Sequence, residues 1–150
     1  MEQEAYLNLW RTYDRLKVIE EEVFAPVGIS PQQYNTLRLL KAVSPQGLTV
    51  QGIGDRLISR APDMTRLLDR LEDRGWVARV RRSDNRRVVD VTLTASGRAL
   101  LEELAAKVRE CHHAQLGHLT PEQLQALIDI LGVAREPHEG PGSVWASPAT

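Results

Sequence analysis

Five arginines crowd one short stretch, Arg79, Arg81, Arg82, Arg86 and Arg87, and Asp84 and Asp90 are the only acids among them. Like charges packed on a hairpin are unfavourable unless something anionic lies near. A minor groove with its flanking phosphates is such a partner. Just upstream, Arg60, Asp63, Thr65, Arg66 and Arg70 share a segment with Met64, Leu67, Leu68 and Leu71. Arginine can bond guanine O6 and N7 together, and threonine can meet a base or a thymine methyl. Asp63 opposes phosphate contact, but its carboxylate suits cytosine N4 or the orientation of a neighbouring arginine. From residue 56 to residue 87, ten arginines face five acids, Asp63, Asp69, Glu72, Asp73 and Asp84. The net charge of −1 over 150 residues therefore hides a local basic patch.

Other chemistries find less support. Cys111 is the only cysteine, so no disulfide forms within the chain, and a structural or incidental thiol is the expectation. Cys111, His112, His113 and His118 invite a metal reading. Ligands on one helix face should stand three or four apart, and no pair here does. No third group orients a Cys–His pair, and no glycine loop cradles phosphate. The chain is thus read as no enzyme, with no metal and no cofactor. MEQEAYLNLW lacks the basic and apolar regions of a signal peptide, and no stretch approaches the roughly 20 apolar residues of a membrane span. The cytoplasm is the expected address.

The pattern of apolar residues sets the elements that must carry these groups. The 42% apolar fraction is enough to bury a core. Leu9, Tyr13 and Leu16 mark an amphipathic helix over 4–24, ended by Pro26 and Gly28. Ser30, Pro31 and Gln33 form a capping box that opens a second helix, broken at Ser44-Pro45-Gln46-Gly47. A short third helix over 49–57 is weakened by Gly52 and Gly54 and must be held by Val50, Ile53 and Leu57. A fourth is expected over 60–74, with Ser59 as N-cap, Pro62 in its first turn and Gly75 as its stop. Residues 77–82 and 86–93 then alternate as two strands about a Ser83-Asp84-Asn85 turn, with Val89, Val91 and Leu93 on one face. Thr94 caps a fifth helix over 95–116. A second capping box, Thr120-Pro121-Glu122-Gln123, opens a sixth through 134. The Pro-, Gly- and Ser-rich tail, 136–150, lacks a face to bury and is expected to be mobile.

This order predicts a mainly α fold with a small β-hairpin wing, a winged helix-turn-helix with extra N- and C-terminal dimerisation helices. The whole is one domain over 1–135, with its winged-helix core at about 30–94 and dimerisation helices at about 4–24, 95–116 and 120–134. The tight turn Ile58-Ser59 makes the fourth helix the recognition helix, which enters the major groove by its N-terminal end. The residues singled out for DNA contact are Ser59, Arg60, Asp63, Thr65, Arg66, Arg70, Arg81, Arg82, Arg86 and Arg87. The competing class is a winged helix used for protein association, which needs apolar anchors more than five arginines. The first, fifth and sixth helices add apolar faces that a small winged helix cannot all cover, which calls for a partner.

The run APDMTRLLDRLEDRGWV, from Ala61 to Val77, resembles the recognition helix of the MarR (multiple antibiotic resistance regulator) family. Asp84-Asn85-Arg86-Arg87, then Val91-Thr92-Leu93-Thr94 and Gly97, is similar to that family's wing and the strand leading to its fifth helix. The resemblance spans about residues 4–134. It implies an obligate, roughly triangular homodimer with its first, fifth and sixth helices interleaved across the two-fold axis. It implies recognition helices that read a pseudo-palindromic operator and wings that reach the flanking minor grooves. The family's wing arginine maps onto Arg87, with Arg86 beside it. The acid that usually precedes this pair maps onto Asn85, a departure, with Asp84 one place earlier. The resemblance further implies a transcription repressor released by a small aromatic or phenolic acid, bound between the dimerisation helices and the DNA-binding lobe. Trp10, Arg11 and Tyr13 are the candidates to line that pocket. Interface packing is the competing and favoured role for the two aromatic residues.

Overall fold

The computed structural model describes all residues except 59–62, 83, 84, 86, 87, 141, 142, 144 and 146–150. Helix α1 (Glu2–Phe24) ends in a single 3-10 turn (Ala25–Val27), and Gly28 closes that turn in the left-handed region at φ 67°. Helix α2 (Pro31–Ala42) starts at the expected capping box: the Ser30 hydroxyl accepts from the Gln33 N–H, and the Ser30 N–H donates to Gln33 Oε1. Strand β1 (Leu48–Thr49) and helix α3 (Val50–Gly54) follow, with the Thr49 hydroxyl capping the helix at Gly52 N–H. Then come α4 (Met64–Asp73), β2 (Val77–Arg81), β3 (Val89–Leu93), α5 (Ala95–Leu116) and α6 (Pro121–Arg135). The fold is the expected winged helix-turn-helix, mainly α with a small sheet.

Four expectations are corrected. The helix expected over 60–74 with a Ser59 cap begins at Met64 with Asp63 as N-cap. Asp63 has a non-helical backbone (φ −141°, ψ 86°), and its carboxylate accepts from the Arg66 N–H at 2.9 Å. Ser59 itself lies outside the described residues. The third helix is shorter than 49–57, because Leu48 and Thr49 pair with Val91 and Asp90 as an edge strand. The sheet therefore has three strands, in the order β1-β3-β2, where the alternation predicted two. The two wing strands are also shorter than 77–82 and 86–93, and pair antiparallel from Val77↔Leu93 to Arg81↔Val89.

Helix α4 ends as its glycine predicts. Gly75 sits at φ 69°, its N–H reaches Glu72 O at 2.8 Å, and Trp76 N–H reaches Leu71 O at 3.0 Å. That double bond pattern is a Schellman motif, which needs a residue tolerant of the left-handed region. It turns the chain straight into β2.

One core serves the elements from α1 to α5. Leu37, Leu40, Ile53, Leu71, Val91 and Leu104 are fully buried in it, with Phe24, Leu68 and Val77 close behind. Full burial of each such side chain contributes about 1.5–3 kcal/mol. Of helix α1 only Phe24 is buried in this core, with Val23 packed against it, and the Phe24 ring centroid lies 4.8 Å from that of Tyr34. Helix α6 gives it nothing: none of its residues is buried. Beyond α6 the chain makes one 3-10 turn (Glu136–His138), and the Arg135 guanidinium pairs with Glu139 at 3.1 Å. The expected mobile tail falls in part on residues outside those described.

Candidate nucleic-acid interface

Helix α4 turns Leu67, Leu68 and Leu71 into the core, and its polar side follows from the same spacing. Thr65, Arg66 and Arg70 are exposed, and Arg66 and Arg70 stand one helical turn apart. With Asp63, Ser30, Gln32, Gln33 and Leu67, the two arginines line a groove of about 230 Å³ between α4 and the start of α2. Asp63 faces the helix N-terminus and caps it, so its carboxylate has a structural task that the pattern of bases and acids did not reveal.

The wing divides its arginines. Arg79 Nη2 lies 2.6 Å from Asp69 Oδ1 and also donates to the Thr65 carbonyl, and Arg79 Nη1 lies 3.5 Å from Glu72 Oε2. The Arg79 backbone N–H donates to Glu72 Oε1 at 3.1 Å. The anionic partner of this arginine is therefore α4 itself. Arg82 forms a forked pair with Asp90, Nε to Oδ2 at 2.6 Å and Nη2 to Oδ1 at 3.2 Å. Arg81, between them, is exposed and pairs with no acid among the described residues. Ser59, Arg60, Arg86 and Arg87 lie outside the described residues, as does Asp84.

Two further arginines of the basic stretch are internal braces. Arg74 donates to the Val27 carbonyl at 3.2 Å and stacks on the Trp76 ring at 4.4 Å. Arg56 donates to the Gly52 carbonyl at 2.9 Å. Of the described arginines in the basic stretch, Arg66, Arg70 and Arg81 are the exposed ones whose side chains neither pair with an acid nor brace the backbone. Reading the chain alone missed the roles of Asp69 and Glu72. The available signal was their i, i+3 spacing on a helix just before an arginine-bearing strand.

A separate cavity of about 500 Å³ opens between α1, α2 and α5. Tyr13, Phe24, Tyr34, Leu57, Ile58 and Val108 supply much of its wall, with Lys17, Glu20, Glu21, Arg38, Cys111 and His112 among the polar and titratable groups. Tyr13 is thus on the cavity, while Trp10 and Arg11 are not among its lining residues. Trp10 is exposed and packs beside Tyr6, ring centroids 6.2 Å apart. Cys111 is buried; burial first, and the nearby Glu20 carboxylate second, push its thiol up from its ordinary value. Burial likewise pushes up the Tyr34 phenol, against the opposing pull of Arg38. Among the described residues no group of three or more His, Cys, Asp and Glu is arranged to hold a metal, and no helix is long and apolar enough to cross a membrane.

Comparison with known proteins agrees with this geometry. The sequence model of the MarR family matches residues 29–89, from just before α2 to the first residue of β3. The crystal structure of a MarR transcription factor from Planctomyces limnophilus is 56% identical, with a TM-score of 0.72, and the match covers 89% of this chain and 96% of that one. The HTH-type transcriptional repressor MdtR of Bacillus subtilis is 29% identical over 79% of this chain and 75% of its own length. MepR of S. aureus, crystallised as a complex with DNA, is 25% identical with a TM-score of 0.76, over 86% of this chain and 95% of its own. The chain belongs to the MarR family of winged-helix transcription regulators.

Proposed function

We propose that the protein is a sequence-specific DNA-binding repressor that grips a pseudo-palindromic operator as a homodimer. The observation that carries this reading is the polar side of α4, where Thr65, Arg66 and Arg70 are exposed beside a buried leucine face. Arg66 and Thr65 are assigned to base edges, with Arg60 before them. Arg70, Arg81, Arg82, Arg86 and Arg87 are assigned to backbone and minor groove. The DNA complex of MepR supports the same use of this fold.

The homodimer is supported by what the single chain leaves uncovered. Helix α6 exposes Ile128, Ile130 and Val133, and α1 exposes Tyr6, Leu7, Leu9, Trp10 and Tyr13. A helix apolar on several sides is normally buried. A second copy buries these faces and spaces two α4 helices about one DNA turn, roughly 34 Å, apart. The cytoplasm is the compartment in which such a dimer meets its operator.

The 500 Å³ cavity is assigned to a small aromatic or phenolic effector. Leu57 and Ile58 line it and lie between α3 and α4 in the sequence, so an occupant that moves them is proposed to shift the spacing of the recognition helices. The test is a binding titration against the DNA upstream of the protein's own gene at 50 and 200 mM salt. One dimer per site, with about a 10³-fold loss of affinity between the two salts, supports the reading. Binding no tighter than to random DNA overturns it.

A further inference from the structure

We infer that the cavity between α1, α2 and α5 selects an aromatic molecule that carries a cationic amine. The inference rests on the effector reading above and names the chemistry of the ligand. A volume of about 500 Å³ suits a ligand of one or two rings. Tyr13, Phe24 and Tyr34 bring three aromatic rings to its wall. Such rings pack against another ring and also attract a cation through their faces.

The charges on the wall then discriminate between amine and acid. Lys17 Nζ lies 3.3 Å from Glu21 Oε1, so these two groups largely cancel. Glu20, half-buried, forms no ion pair or hydrogen bond with any described residue. A half-buried carboxylate without a cation gains from a cationic ligand and repels an anionic one. Its field already reaches the cavity wall at Cys111.

His112, on the same wall, is held by a hydrogen-bonded neighbour. Gln115 Nε2 donates to the Leu16 carbonyl at 2.8 Å, which turns Gln115 Oε1 toward His112 Nδ1 at 2.9 Å. This contact fixes the orientation of the His112 ring, which is among the lining residues of the cavity. The remaining cation of the lining, Arg38, acts on Tyr34 from the α2 side, but it is exposed there and more screened by water than the half-buried Glu20. The α1–α5 wall therefore offers the Glu20 carboxylate to a ligand that brings a cation.

Calorimetric titration of the full chain with two matched probes tests this. Tyramine and 3-(4-hydroxyphenyl)propionate share a phenol and a two-carbon arm and differ in the terminal charge. Tyramine is expected to bind at least about tenfold more tightly, and Glu20→Gln to erase most of that difference while leaving the circular dichroism spectrum unchanged. Tighter binding of the acid, or an unchanged preference in Glu20→Gln, overturns the amine selectivity and leaves the effector reading standing. If neither probe binds at 10 mM, on the order of the weakest affinity a specific small-ligand site shows, both fail.

Discussion

The Arg79 guanidinium lies 2.6 Å from the Asp69 carboxylate, and this contact joins the first wing strand to the helix that carries Thr65, Arg66 and Arg70. Arg79 is about one quarter exposed and Asp69 about one half, so the pair alone contributes little to stability, about 1 kcal/mol or less. Its larger effect is expected on the surface of α4 proposed to face DNA. Arg79→Ala leaves Asp69 and Glu72 uncompensated on the recognition helix, and operator affinity should fall about tenfold, or roughly 1.4 kcal/mol. Asp69→Asn in the same background should restore part of the loss. A double-mutant cycle read by DNA affinity checks this, and additive effects of the two changes would count against the brace.

Gly97 is a point of close approach. A Cβ at this position would overlap the Trp76 carbonyl oxygen, which also accepts from the Thr94 N–H. The obstruction is backbone, so it cannot be relieved by a rotamer change. Gly97→Ala should destabilise the fold by about 1–3 kcal/mol, as overpacking does elsewhere. Thermal unfolding measures it, and an unchanged midpoint would mean that α5 is free to slide away from the wing.

The uncovered face of α6 predicts the assembly. Ile130→Asp and Val133→Asp change exposed residues that give nothing to the core. The single chain should keep its helical content, while sedimentation shows the dimer shifting to monomer and operator binding weakening with it. A variant that remains dimeric would place the interface elsewhere.

The buried thiol predicts a pH response. Because burial and then Glu20 raise the Cys111 pKa, the folded state favours the neutral thiol. Its contribution to stability is complete below the ordinary thiol value of about 8.5 and is lost as pH rises through the higher folded value. Alkylation by iodoacetamide at pH 8 should be much slower in the native protein than in urea. Equal rates would show that the thiol is accessible.

Much of the fold was legible because local signals agreed. The Ser30 and Thr120 boxes, the Thr94 cap and the Gly75 stop each act over a few residues and appear where the chain places them. The start of α4 was misread because Ser59 and Asp63 are both good N-caps, and choosing between them depends on how the preceding turn packs. Strand β1 escaped because two residues carry no periodicity, and only β3 beside them makes a strand of Leu48 and Thr49. The interface was legible as a sum of charges but not as an arrangement. Arg79 and Arg66 look alike in sequence, and only the tertiary position of Asp69 turns one inward.

The most direct test of the central claim is a fluorescence anisotropy titration of two duplexes, the upstream DNA and a scrambled version of it. Wild type, Arg66→Ala and Arg81→Ala are compared. The account predicts that Arg66→Ala loses about 1–3 kcal/mol on the upstream DNA and far less on the scrambled one, narrowing the preference. Arg81→Ala should weaken both duplexes alike and lower the salt slope by about one. Equal losses on both duplexes from Arg66→Ala would contradict the assignment of α4 to base reading.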